Sequence, residues 1–318
     1  MKQVAYINRM SSVHPAGANT QLPYLQAVDP DYKELIPNPA LRRRMSRVVK
    51  MGVACGMDCI AGIPSENIHA IVTATGLGCL ADTEKFMANL LDNNEELLNP
   101  TPFIQSTFNT VGAQIALLCR NQSYNVTYVH RGFSFESALI DGMLRLSEGD
   151  LNVLVGAFDE LTDTSFTIQQ RMGLFRGIRA GEGAQFFLLS KDPSEHTSAA
   201  IAMPFTFTNP ASNEEVARHI ETYLHANDLA TSDIDCLVTG RNGATAPDAI
   251  YSYIENRLFP DAQYITFKHI CGEYPTASAF GLWHTARMVG EGERNVKHAL
   301  IYNCYNGVGY SLMLVNCP

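Results

Sequence analysis

Along the chain, short apolar runs alternate with longer stretches whose apolar residues recur at helical spacing, the pattern of strands alternating with helices. The clearest unit is residues 128–160, YVHRGFSFESALIDGMLRLSEGDLNVLVGAFDE. It predicts a strand, a tight turn at Arg131-Gly132, a helix, a stop at Gly149-Asp150 and a second strand. Ala138, Leu139, Met143, Leu144 and Leu146 fall near the 3, 4, 7 spacing of one apolar helix face. Residues 151–158 form a short apolar run ending in small residues, as a buried parallel strand does. A turn between strand and helix faces the positive end of the helix dipole, a common place for a nucleophile. Here the turn holds a glycine.

The same pattern sets out the rest of the chain. Residues 4–7 predict a first strand, and 15–39, rich in Pro, Asn and Asp, a surface excursion. LRRRMSRVVKMGVACGMDCI predicts one helix, in which Arg43, Arg44, Arg47 and Lys50 form a basic face turned either to an acidic partner or to solvent. Residues 69–75 predict a strand opening into TGLGC, a loop whose glycines let backbone pass close to a neighbour. No G-x-G-x-x-G opens a helix there, so a dinucleotide site is not indicated. A polar helix follows, Pro100 and Pro102 break the chain, and FIQSTFNTVGAQIALLC predicts a buried helix. GEGA leads into a strand at 185–189, and the polar segment 191–198 marks the best internal boundary. Beyond it strands are expected at 201–208, 235–239, 264–267, 298–303 and 310–315, and helices at 213–227, 247–258 and 276–288. The expectation is an α/β protein of two similar halves, 1–196 and 197–318.

Composition narrows the function classes. A 318-residue chain that is 46% hydrophobic can bury one large core or two fused ones. A formal charge of −9 argues against a nucleic-acid binder. No apolar run approaches the roughly 18 to 20 residues of a membrane span, and the N-terminus lacks the pattern of a signal peptide. The eight cysteines form no C-x-x-C pair, so neither a metal site nor a disulfide framework is expected, and Cys55 and Cys59 read as small buried residues. These features fit a reduced, cytoplasmic protein without cofactor.

Five segments in order resemble the β-ketoacyl-acyl carrier protein synthases, the condensing enzymes of the thiolase fold. RRRMSR resembles the family's early R-M-S-R helix, and NTVGAQIAL the segment before the nucleophile strand. ALIDGMLRLSEGDLNVLVGAFDE resembles A-I-G-(D/E)-A-x-R-x-I-x-x-G-x-A-D-x-x-x-A-G-G almost position by position. GEGAQFFLLS resembles G-E-G-A-G-x-L-V-L-E, and NCYNGVGYSLMLV the closing N-S-F-G-F-G-G motif. The resemblance covers most of a chain shorter than the typical member. It implies a thiolase-like fold, two βαβαβ-type halves in an αβαβα layering.

The family's chemistry needs a cysteine acylated at the helix N-terminus, two histidines that assist decarboxylation, and a supporting lysine. The resemblance places Gly132 at the cysteine, Asn242 and Glu273 at the histidines, and Lys268 at the lysine. Three of the four positions depart, and a glycine has nothing to acylate. Glu273 sets an acid where the family stabilises negative charge, and is expected to pair with Lys268 or His269. Asn242 can still donate a hydrogen bond. Ser134, in GFSFE, lies outside the set as a candidate nucleophile, although a first-turn serine is commonly a cap; an alignment two residues away places it at the turn. His130 and Arg131 are candidates for a site or a plain strand end, and Cys271 and Cys304 for reactive or merely buried thiols.

What the resemblance implies for function is a chain-length-factor-type subunit, non-catalytic itself, paired with a cysteine-bearing ketosynthase and an acyl carrier protein in type II fatty acid, polyketide or aryl polyene biosynthesis. Two other readings stay open. One is an acyltransferase, decarboxylase or hydrolase of altered chemistry; the other is a homodimeric module that binds acyl chains or carrier protein. Neither nucleic acid nor membrane is expected as a partner.

Overall fold

The computed structural model describes residues 4–16 and 23–318. In chain order the first half comprises β1 (Val4–Val13), α1 (Tyr32–Leu35), α2 (Pro39–Arg44), α3 (Arg47–Cys59), β2 (Ala70–Ala74), α4 (Leu80–Asp92), α5 (Pro100–Gln105) and α6 (Thr110–Cys119). It continues through β3 (Tyr124–Tyr128), α7 (Ser134–Glu148), β4 (Asn152–Asp159), α8 (Asp163–Arg171) and β5 (Gly183–Ser190). The second comprises β6 (Ala199–Ala202), β7 (Phe205–Thr208), α9 (Asn213–Ala226), β8 (Cys236–Thr239), α10 (Thr245–Leu258) and β9 (Gln263–Thr266). Then come α11 (Lys268–Cys271), α12 (Ala277–Gly290), β10 (His298–Tyr305) and β11 (Gly309–Asn316).

The strand order, β3-β2-β4-β5-β1-β6-β11-β10-β8-β9, reads the same from either edge if each half's strands are counted separately, with β7 added beside β11. The first strands of the halves, β1 and β6, meet antiparallel at the seam. Side-chain parity then builds the layers, because successive strand residues face opposite sides. Val153, Val155 and Ala157 of β4, and Ala299 and Ile301 of β10, point into one central core shared with Ala138, Leu139 and Met143 of α7 and Phe280 and Leu282 of α12. Leu154 and Phe158 point the other way, against Val49, Val53 and Ile115 of the α3–α6 layer. Leu300, Leu312 and Leu314 face Ile220 and Ile254 of the α9–α10 layer. The result is the expected αβαβα arrangement. Among the described residues no helix is long and apolar enough to cross a membrane.

Several elements differ from the sequence pattern, each for a local reason. The helix expected from Leu41 onward is two, because Met45 turns inward, 5% exposed, and Ser46 takes an extended conformation between α2 and α3. Arg47 does not join a basic face. It bonds the buried Glu182 (2.5 Å) and Asp29 (3.0 Å), while Lys50 lies over the Tyr32 ring and Arg43 and Arg44 stay exposed. Pro100 and Pro102 open α5 rather than break the chain, since the first helical turn has no N–H partner to lose. The run from Phe103 onward splits between α5 and α6 and is largely open, with Phe103, Ile104, Phe108 and Leu117 all exposed. β1 runs to Val13, past its polar middle, because it lies between β5 and β6. Residues 201–208 divide at Met203-Pro204 into β6 and β7, a proline lacking the ladder donor. Leu144 lies off the buried stripe of α7 and is 44% exposed. Of the excursion at 15–39, residues 17–22 lie outside the described residues.

Candidate functional site

β3 ends at Tyr128 and the chain makes a single 3-10 turn, Arg131–Phe133, before α7. The strained residue of this turn is Arg131, at φ +49°, a conformation uncommon outside glycine. Gly132 follows and is buried. A Cβ there would lie 2.4 Å from Cδ1 and 2.6 Å from Cγ of Tyr305, far inside contact distance, so an aromatic ring occupies the space that a side chain at 132 would need. Tyr305 ends β10, where the chain reverses into β11.

Ser134 is fully buried. Its hydroxyl donates to the Arg131 carbonyl (2.8 Å) and accepts from the His130 N–H (2.7 Å), so it caps the turn. Among the described residues no histidine ring or carboxylate is bonded to it in the manner of a base. The His130 ring turns away to Ser137 Oγ, 3.3 Å, and stands edge-on to Phe133.

Asn242, Lys268 and Glu273 come together from three segments. Lys268 Nζ donates to both Glu273 oxygens (3.0 and 2.8 Å) and to the Cys304 carbonyl (3.0 Å). Asn242 Nδ2 donates to Glu273 Oε2 at 2.6 Å. The lysine side chain has no solvent exposure and the glutamate 4%, so the pair is buried and saturated. The ammonium makes three hydrogen bonds and the Asn242 amide one, all to protein acceptors. Of the partners expected for Glu273, Lys268 holds it, whereas His269 bonds Thr266 Oγ1 instead. The loop is fixed by backbone contact: a Cβ on Gly181, in the GEGA motif, would fall 1.9 Å from the Cys271 carbonyl oxygen. Gly181 N–H in turn donates to the Glu273 carbonyl (3.1 Å).

Neither thiol candidate is activated. Cys271 and Cys304 are buried, and burial pushes both thiols up, away from the thiolate a nucleophile needs.

Sequence reasoning missed Tyr305 and three acids. Asp159, ending β4, is fully buried and takes five hydrogen bonds, from Thr75 Oγ1, Gly76 N, Leu77 N, and Thr276 N and Oγ1. It thereby ties the TGLGC loop to the start of α12, where Gly76 passes against Pro275. Glu182 accepts from Ala27 N and Leu161 N as well as from Arg47. Glu160 accepts from Ala81 N (2.9 Å); burial, with Glu182 and Asp82 adding negative charge, pushes its carboxyl up to about 7. The signal for these was the acid pair ending AFDE and the glutamate inside GEGA. Glu160, Glu273 and Tyr305 share a narrow cleft whose other walls include Leu77, Leu161 and Phe175. Its open interior is on the order of one water molecule.

The family profile described as the beta-ketoacyl synthase N-terminal domain matches residues 18–228. No curated protein sequence matches the chain. Solved structures align over the full length of both chains. One is described as the ishigamide ketosynthase/chain length factor, with a TM-score of 0.82 at 16% identity. Another is AntDE:AntF, a type II polyketide synthase acyl-carrier protein in complex with its ketosynthase bound to the hexaketide, at 0.80 and 13%. A third is a beta-ketoacyl synthase from Burkholderia phymatum, at 0.79 and 14%. At these identities the likeness is one of fold, the thiolase-like fold of ketosynthases.

Proposed function

Because the chain belongs to the β-ketoacyl synthase family, we propose that it is a non-catalytic, chain-length-factor-type subunit that pairs with a cysteine-bearing ketosynthase and works with an acyl carrier protein in a type II pathway. The observation that carries this is the state of the site. Gly132 has no side chain, and Tyr305 fills the place where one would stand. The lysine that would support an enolate is neutralised by a buried glutamate. A carboxylate at that point opposes developing negative charge, which condensation requires to be stabilised.

A partner role draws support from the surface. β3 pairs with β2 on one side only, and its other edge carries no strand among the described residues. Beside it α6 leaves Leu117 exposed, and α5 and the turn after it leave Phe103, Ile104 and Phe108 exposed. An open strand edge flanked by apolar side chains is a surface that association covers. On this reading those bulky residues border the acyl pocket of the pair and set its length. A groove lined by Lys33, Arg42, Arg43 and Lys50, with Asp31 as its one acid, offers an acidic carrier protein a net positive surface on an otherwise negative chain. The ketosynthase/chain length factor and the ketosynthase with its acyl-carrier protein among the structural neighbours fit the same assembly.

An enzyme of altered chemistry would draw on Ser134, Asn242, Glu273 or a displaced cysteine. The first three are engaged in internal bonds, and Cys271 and Cys304 are buried thiols, which disfavours that reading. The test is co-expression with the neighbouring synthase genes and purification through a tag on this chain. Stoichiometric recovery of a cysteine-bearing synthase, with condensation activity that neither chain has alone, is the expected result. A self-sufficient homodimer that turns over acyl or malonyl thioesters would overturn it.

A further inference from the structure

α8 and the turn after it carry side chains that neither the core nor the site uses. α8 opens on a capping box between Thr162 and Ser165 and is followed by Met172. Ile168, Arg171 and Met172 fall at i, i+3 and i+4, so they share one helix face. That face is open: Ile168 is 54% and Met172 72% exposed, and Arg171 is exposed with them. Gly173 and Gly177 then turn the chain at φ +84° and +74°, and a Cβ on either would meet nothing within 4 Å. Arg176 and Arg179 are exposed as well. The segment is nevertheless held from beneath. Phe175 stacks on the buried Phe166, ring centroids 5.7 Å apart, and the Arg179 carbonyl accepts from Glu273 N–H at 2.8 Å. It is a fixed surface rather than a loose loop.

Its charge is opposite to that of the chain. Residues 164–181 contain three arginines and no acid, in a protein of formal charge −9. Among the described residues none of the three arginines is in an ion pair. We propose that residues 168–179 bind the surface of an anionic lipid bilayer. Ile168 and Met172 enter the boundary of the acyl chains while Arg171, Arg176 and Arg179 meet the phosphates. An acidic protein would engage the arginines and leave the two apolar side chains in water, whereas a bilayer covers both kinds at once. This replaces the expectation that no membrane takes part, which rests on the lack of a spanning run; contact at the surface needs none. Leu174 and Phe175 line the cleft, so a bilayer seated here lies beside its rim. The proposal is independent of the pairing with a synthase.

The experiment is co-sedimentation of the purified full chain with vesicles of phosphatidylcholine, alone or mixed with phosphatidylglycerol, at low and high salt. Wild type is expected to pellet with the mixed vesicles only and to be released by salt. Arg171→Gln, Arg176→Gln and Arg179→Gln together are expected to weaken binding about 100-fold, each arginine near an anionic surface contributing roughly fivefold. Ile168→Ser with Met172→Ser is expected to weaken it roughly tenfold, through lost apolar burial. Lys191→Gln, Arg218→Gln and Lys297→Gln together, an equal change of net charge at exposed positions elsewhere, should bind as wild type does. Wild type that stays in the supernatant at low salt overturns the proposal. So does either variant of the segment binding like wild type, or the control variant losing as much as the arginine one. An arginine variant that keeps vesicle binding but loses recovery of an acyl carrier protein would assign the surface to a protein and overturn the proposal too.

Discussion

The two sides of the candidate site are closed by different physics. At Gly132 the closure is steric: a missing side chain and an aromatic ring fit one another, and no charge is involved. At Lys268 the closure is electrostatic: a buried cation is matched by Glu273, with Asn242 and the Cys304 carbonyl completing the shell. Restoring one side therefore does not restore the other. A cysteine placed at 132 would meet Tyr305, and would still face a lysine already committed to a carboxylate. The steric side tolerates no added atoms, whereas the electrostatic side tolerates no unmatched charge.

That contrast gives its sharpest test at the ion pair. Lys268→Met alone leaves Glu273 buried without its cation, and is expected to destabilise the fold by about 3–5 kcal/mol in urea unfolding. Lys268→Met with Glu273→Leu is expected to recover most of that loss. If the single variant is as stable as wild type, charge does not hold this side shut.

Next in size is a pH effect at the cleft wall. A folded-state value of about 7 against an ordinary 4.5 means that the fold favours protonated Glu160. Its contribution to stability is present below about pH 4.5 and is lost as pH rises through about 7. Glu160→Gln, which keeps an acceptor for Ala81 N–H, should therefore gain on wild type between pH 5 and pH 8, by roughly 3 kcal/mol at most. Equal pH profiles for the two proteins would remove Glu160 from the account.

The steric side predicts a smaller penalty. Gly132→Ala should cost about 1–3 kcal/mol through overpacking, and the same change in a Tyr305→Ala background should cost far less. A double-mutant cycle reads this coupling, and additive effects would show that the ring and the glycine are not matched. Smallest is Ser134→Ala, expected to lower stability by about 1 kcal/mol through the lost cap, with partner recovery unchanged. Loss of a catalytic rate in that variant, with stability intact, would reinstate Ser134 as a nucleophile.

The sequence by itself determined the parts that depend on near neighbours. Short apolar runs placed β4, β5, β10 and β11, and the spacing of Ala138, Leu139 and Met143 placed α7, because both signals are read within a few residues. It also made plain that position 132 has no side chain. Breaks inside apolar stretches were less legible: the inward turn at Met45 and the extended Ser46 depend on the α3 face already being packed. The tertiary structure alone decided which groups meet. Tyr305 lies 173 residues from Gly132, and only the closed sheet, with β10 and β11 in register beside α7, brings the ring to the glycine. The pairing of Glu273 with Lys268 rather than His269 was settled in the same way, by the burial that makes an unmatched ammonium untenable. Local pattern fixes what each segment is; contacts between segments distant in sequence exist only once the layers have closed around them.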